Sequence, residues 1–360
     1  MNEFNNQKEI IDSIRALSRY IILLGLLVFL CISLLAFFLL GKPTLSIHYG
    51  QSAVNLIPEK SIQNSPTHSL SSLNLWKAPD INSIPKGVLG DKIRYGRDLI
   101  AHTARYFGPK GSIAAISNGM NCQNCHLEAG TRIYGNNFAS FISSYPKRSN
   151  RSGKMSPPSQ RIVECMQRSM SGISPDTNSR EVRSMLAYLA WIGQGVKKTD
   201  KLFGTASEKL PFMEIPANPL KGLLVYKEKC ENCHGSQGEG KWSDNLNEYI
   251  YPPLWGKNSF NNGAGMYRII NMAGFIKNNM PYGTNYTNPQ LSNEEAWNVA
   301  AYIESQPRNA FNQSQDWKDL SKKPIDLPFS PYLDTFTEKQ HKFGPFKPIL
   351  EAQTKLISKR

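Results

Sequence analysis

Apolar positions along the chain fall into three regimes. Residues 20–40 form a run of 21 residues without a charge, long enough to cross a bilayer as a single helix. Residues 43–85 are rich in Ser, Asn and Pro and show little periodicity, the composition of a tether. From residue 87 onward helical spacing recurs. Ile93, Ile100 and Ala104 recur at helical intervals within a helix predicted over 92–106, and the stretches 159–170 and 180–192 read the same way. After a joining stretch, a second set follows at 220–229 and 265–275. Ser292-Asn-Glu-Glu295 is a capping box that opens a last helix running to about residue 305. Strand signals are weak throughout, so the pattern predicts an all-α protein.

These regimes divide the chain into an N-terminal segment 1–19, an anchor 20–40, a linker 41–86, a first helical domain 87–196, a linker 197–210, a second domain 211–308 and an extended tail 309–360. The tail holds several prolines but also Phe329, Tyr332, Phe336, Phe343 and Phe346. That is too many aromatics for a disordered segment, and the tail is expected to pack on both domains. The apolar run is longer than a signal-peptide core and lacks a small-residue cleavage site. Leu30 before Cys31 also argues against lipidation, so Cys31 reads as an apolar filler within the helix. Lys8, Arg15 and Arg19 precede the span and favour a cytoplasmic N-terminus, although Glu3, Glu9 and Asp12 dilute that bias.

Composition sharpens the picture. The hydrophobic share is 40%, part of it spent on the membrane run, which leaves the soluble domains thin-cored and in need of a staple. The net charge of +14 suits an anionic substrate or an acidic redox partner. Nucleic acid is rejected because no binding motif accompanies the charge.

The six cysteines are no disulfide framework, because four of them repeat one spacing. Cys122-Gln-Asn-Cys125-His126 and Cys230-Glu-Asn-Cys233-His234 are both C-x-x-C-H. Two cysteines one helical turn apart reach the two vinyl groups of a haem, and the following imidazole falls on the iron. A zinc or dithiol site would not repeat this five-residue pattern twice. The motifs predict two covalently bound haem c groups, hence two class I cytochrome c-like domains in tandem. In bacteria such haems are attached outside the cytoplasmic membrane, so residues from about 41 onward are expected in the periplasm, tethered to the inner membrane as a single-pass protein.

Each iron needs a further ligand. Met280-Pro281 lies 46 residues after His234 in a Gly/Asn/Pro-rich loop and is the candidate for the second haem. Met266 and Met272 fit the apolar helix pattern and read as core. Pro252 and Pro253 are candidate backbone partners for the other nitrogen of His234. For the first haem, Cys165 lies 39 residues after His126 in the helix over 159–170. Arg161 and Ser169 sit four residues to either side, and Arg168 three after, so all lie near its face. Cations beside a thiol favour the thiolate, the form that binds iron. Met155, Met166 and Met170 are the alternative ligands.

Between residues 147 and 168 there are six basic residues (Lys147, Arg148, Arg151, Lys154, Arg161, Arg168) against one acid, Glu164. Beside a thiolate such a run makes an anion funnel. Soft sulfur, fixed positive charge and two one-electron acceptors suit the joining of two sulfur oxyanions through an S–S bond. On the segments 118–130, 161–172, 252–265, 273–283 and 329–349 the chain resembles the dihaem thiosulfate dehydrogenases, over residues 90–349. The resemblance implies an enzyme that interconverts thiosulfate and tetrathionate and passes electrons from haem 1 to haem 2. A cytochrome c or quinone-linked redox partner would receive or supply them. It also implies His126 and Cys165 on the first iron, His234 and Met280 on the second, and Arg151, Arg161 and Ser169 around the anion. Some relatives carry a lysine before the methionine, where this chain has Asn279. The competing expectations are an electron carrier without catalysis and a component of a multienzyme sulfur-oxidation system.

Overall fold

The computed structural model describes residues 17, 18, 20, 22–32, 75–243 and 247–358. Residues 22–32 are helical and exposed. Among the described residues no helix is long and apolar enough to cross a membrane. Residues 33–40 of the expected anchor, and the linker as far as residue 74, lie outside the described part.

Two helix crossings organise the rest. In the first lobe, α1 (Val88–Ala101), followed by the short α2 (Thr103–Phe107), crosses a later helix after α3 (Pro158–Arg168); that later helix is α4 (Arg180–Ile192). In the second lobe, α5 (Pro219–Lys229) runs into α6 (Glu231–His234) and crosses α8 (Asn293–Ser305), with α7 (Ile269–Asn279) packed alongside α8. A glycine sits at each crossing. A Cβ on Gly96 would lie 1.9 Å from the Ser184 carbonyl oxygen, and one on Gly222 would lie 1.9 Å from that of Asn298. The two lobes therefore share a backbone-to-backbone contact that any larger residue would force apart. Local signals set the helix starts. Ser179 accepts from the Val182 amide, Asn218 from Leu220 and Lys221, and Ser292 and Glu295 form a reciprocal capping box.

Leu99, Ile100, Met185, Tyr188 and Ile192 fill the first core, and Tyr226, Ile269, Trp297 and Val299 fill the second. Trp76 and Ile84, within the stretch read as tether, are buried in the first core. The tail contributes as well. It forms α9 (Glu338–Phe343) and α10 (Lys347–Ser358), and Phe346 and Ile349 are buried in the second core, each worth about 1.5–3 kcal/mol of burial. Its earlier part reaches the first lobe, where the Trp317 amide donates to the Arg151 carbonyl at 2.7 Å.

Two differences from the sequence reading have identifiable causes. The fold is mostly helical, but it also carries two small antiparallel ladders: β1 (Lys147–Arg148) with β2 (Met155–Ser156), and β3 (Lys241–Ser243) with β4 (Glu248–Tyr251). Both are too short to leave a period-two pattern. The helix expected over 265–275 is α7, displaced toward the C-terminus. Residues 261–267 are taken up by turns, and the Ile270 amide is capped by Asp326 of the tail at 3.1 Å. A cap supplied 56 residues away leaves no local signal.

Candidate functional site

Each C-x-x-C-H segment opens onto its own cavity. The first, about 240 Å³, is lined by Cys122, Cys125, His126, Arg161, Cys165 and Ser169, with Phe138, Leu189 and four methionines among its apolar walls. The second, about 630 Å³, is lined by Cys230, Cys233, His234 and Met280. In both, the imidazole is fixed through Nδ1. That of His126 lies 2.5 Å from the Asn136 carbonyl, and that of His234 lies 2.8 Å from the Pro252 carbonyl. Nε2 is thereby the nitrogen available to a metal, and the backbone partner sets the ring orientation. Burial pushes the His126 imidazole down to about 4 and lowers that of His234 as well, so both are in the neutral form that binds a metal.

The backbone around His126 shows why the ring sits where it does. Glu128 and Ala129 adopt left-handed φ, and Gly130 follows at φ 84°. A Cβ there would meet the Phe138 ring at 1.9 Å. Without it, Phe138 closes to 4.3 Å from the His126 ring and stacks on it. Paired thiols, a neutral imidazole with its far nitrogen held, and an apolar cavity fit a covalently attached haem in each lobe.

Helix α3 (Pro158–Arg168) brings Cys165 to the wall of the first cavity. Pro158 at its start and the 3.6-residue repeat bring Arg161, Ile162, Cys165, Met166 and Ser169 onto the cavity face. The helix is held against the second lobe. The Asn261 amide donates to the Arg168 carbonyl at 3.0 Å, its side chain donates to Gln167 at 2.8 Å, and Ser171 donates to Ser259 at 2.7 Å. The Cys165 sulfur and then Glu164 push the Arg161 guanidinium upward, although burial opposes them.

The basic run does not converge on one point. Arg161 and Ser169 line the cavity with Cys165, whereas Arg151 is not among the lining residues. It stands one step back. Glu164 lies 3.2 Å from Arg161 and 3.8 Å from Arg151, and Asp316 lies 3.5 Å from Arg151. Burial and the neighbouring Arg168 and Arg161 push Arg151 down to about 10. Arg168 is buried and held by Asp316 in two bonds of 2.7 and 2.9 Å, with its guanidinium over Phe311. Lys147, Arg148 and Lys154 lie on the exposed β1–β2 ladder and its turn. Sequence reasoning missed Glu164 as a bridge, although a single acid within a basic run was a usable signal. It also missed Asp316, 148 residues from its partner.

At the second centre, Met266 and Met272 share the cavity wall with Met280. Both are also buried in the core. Asn279 is buried and donates to the Tyr134 carbonyl at 3.1 Å and to Phe275 at 2.9 Å. Tyr134 belongs to the first lobe. Arg132, also from that lobe, donates to the Thr284 carbonyl in the loop after Met280.

Residues 113–197 match the family described as SoxA/TsdA, cytochrome c domain, and residues 220–307 match Cytochrome c. The thiosulfate dehydrogenase of Stutzerimonas stutzeri is 34% identical over 233 residues, covering 65% of this chain and 73% of that protein. That of Allochromatium vinosum is 35% identical over 236 residues, covering 64% and 83%. A solved structure of thiosulfate dehydrogenase (TsdBA) from Marichromatium purpuratum superposes with a TM-score of 0.58 at 30% identity, covering 64% of this chain. This chain accounts for 49% of that longer one. With two cytochrome c domains, two covalent c-type haems and relatives matched over most of their length, this chain belongs to the thiosulfate dehydrogenase family.

Proposed function

We propose that this chain oxidises thiosulfate to tetrathionate, and reduces tetrathionate in the reverse sense, at the first cavity. The observation that carries the reading is the meeting of Cys165, Arg161 and Ser169 with His126 in one apolar cavity. His126 and Cys165 would hold the first haem iron, with Cys122 and Cys125 as thioethers. His234 and Met280 would hold the second, with Cys230 and Cys233. The two haems supply two one-electron acceptors.

The chain's own residues do the remaining work. Arg161 neutralises an incoming dianion, and Ser169 donates to one of its oxygens. Arg151 acts from behind through Glu164. The sulfane sulfur of a first thiosulfate bonds to Cys165 Sγ as two electrons leave, giving a Cys–S–S–sulfonate. The sulfane sulfur of a second thiosulfate then attacks the sulfur attached to Cys165. Tetrathionate leaves and Cys165 departs as thiolate. Two dianions brought together without the cations would repel strongly in this apolar surrounding.

The membrane run over 20–40 is proposed to anchor the chain in the inner membrane with the catalytic part in the periplasm. A soluble or membrane cytochrome c, or a quinone-linked protein, would exchange electrons with the second haem. Purified holoprotein should reduce an electron acceptor with thiosulfate and oxidise a reduced donor with tetrathionate, read from the haem absorption bands. Failure in both directions would refute the proposal.

A further inference from the structure

The two haem cavities share a wall. Met120, Asn121 and Cys125 line both of them. Behind that wall stands Glu248 of β4, a second-lobe residue that is 5% exposed and itself lines the second cavity but not the first. Its Oε2 accepts from the Asn121 side chain at 2.9 Å, and His102 Nδ1 of the first lobe lies 3.0 and 3.1 Å from its two oxygens. Asn121 is buried as well, and its oxygen accepts from the Ala104 amide at 2.8 Å. The Arg105 guanidinium, 40% exposed, lies 4.0 Å away. The strand is wedged firmly. Tyr249 is buried in the first core while lining the second cavity, and Trp242 of β3 packs edge-on to it at 4.3 Å.

A carboxylate in a partition this dry acts on both centres, because little water screens it. The bond from the Asn121 side chain does not itself require the charge, since the single oxygen of an amide could accept it. A fixed negative charge stabilises the oxidised, more positive state of a nearby iron and so lowers its reduction potential. We infer that Glu248 is a positioning residue whose buried charge holds down the potential of the second haem more than that of the first, and so sets the direction in which electrons cross between them. The inference rests on the proposed reading of the second haem as the electron-transfer centre. With haem bound in both lobes, a single electron would pass between the first centre and the second, and no proton or further reactant would be needed. By making the second centre a poorer acceptor, Glu248 biases the enzyme toward tetrathionate reduction.

The test is a spectroelectrochemical titration of the full-length holoprotein and its Glu248→Gln variant. The variant keeps the hydrogen-bond acceptor and removes the charge. The second haem's midpoint should rise, the first should rise less, and the ratio of thiosulfate oxidation to tetrathionate reduction should move toward oxidation. Glu248→Asp and Glu248→Asn give a second pair, equal in size and different in charge. The same upward shift is expected from the former to the latter should E248Q bind haem poorly. Unchanged midpoints in E248Q would overturn the inference, as would loss of haem from both amide variants but not from E248D, which would make the role structural. A wild-type protein that turns over neither anion would sink the proposed function, while the titration would still report on Glu248.

Discussion

The clearest stability prediction concerns the strap that the tail lays across helix α3. Asp316 meets Arg168 in two bonds of 2.7 and 2.9 Å, with side chains 8% and 10% exposed, and also faces Arg151 Nε at 3.5 Å. Asp316→Ala leaves two largely buried guanidinium groups short of a counter-charge. Breaking one side of a buried pair costs about 3–5 kcal/mol, most of it from the stranded charge. Here compensation is partial. Arg168 keeps the Phe311 face at 4.2 Å and a long contact to the Gly263 carbonyl, and Arg151 keeps Glu164 at 3.8 Å. The loss should therefore fall near the lower end, about 3 kcal/mol, a large fraction of the 5–15 kcal/mol that ordinarily holds a protein folded. Urea denaturation followed by circular dichroism and tryptophan fluorescence reads it as a lowered midpoint at unchanged slope. Arg168→Met combined with Asp316→Ala should cost clearly less than the two singles added, because the double variant strands fewer charges. A loss below about 1 kcal/mol in D316A, or strict additivity in the double variant, would refute the assignment of this pair as the tail's clamp.

Two further predictions address the second lobe. Burial of Glu304, with both carboxyl oxygens lacking a hydrogen-bond partner, pushes its carboxyl up to about 8 despite the nearby Arg308 and Lys342. The folded state then holds a proton that the unfolded chain has already lost. Stability should fall as pH rises from the ordinary carboxylate range to about 8 and level off above. Glu304→Gln should flatten that slope and stabilise the protein more at pH above 8 than at acidic pH, as read from denaturation midpoints. Met280→His should lower the second haem's midpoint and leave the first nearly in place, because a thioether ligand favours the reduced iron. Equal shifts at both haems would show that Met280 is not the ligand.

What the sequence could reveal depended on how local the cause was. The haem motifs and the Ser292–Glu295 box are complete within a few consecutive residues, whereas the glycines at the two helix crossings show their role only against Ser184 and Asn298, far along the chain. Pro252, named from its neighbourhood, does accept from His234. The partner of His126 was not readable, because Asn136 reaches it through a backbone carbonyl placed by a left-handed turn. The basic run was visible as charge, but its division was not. Which arginine lines the cavity and which stands behind it depends on Glu164 and on Asp316, which arrives from the tail. Glu248 was equally hidden, since its neighbours Asn121 and His102 lie 127 and 146 residues away.

In the proposed reaction Cys165 is the sulfur that carries the substrate between the two half-reactions. Cys165→Ala, purified with both haems attached, should neither reduce an acceptor with thiosulfate nor oxidise a donor with tetrathionate, while its second haem still takes up an electron from a chemical reductant. Thiosulfate oxidation near the wild-type rate in that variant would contradict the account.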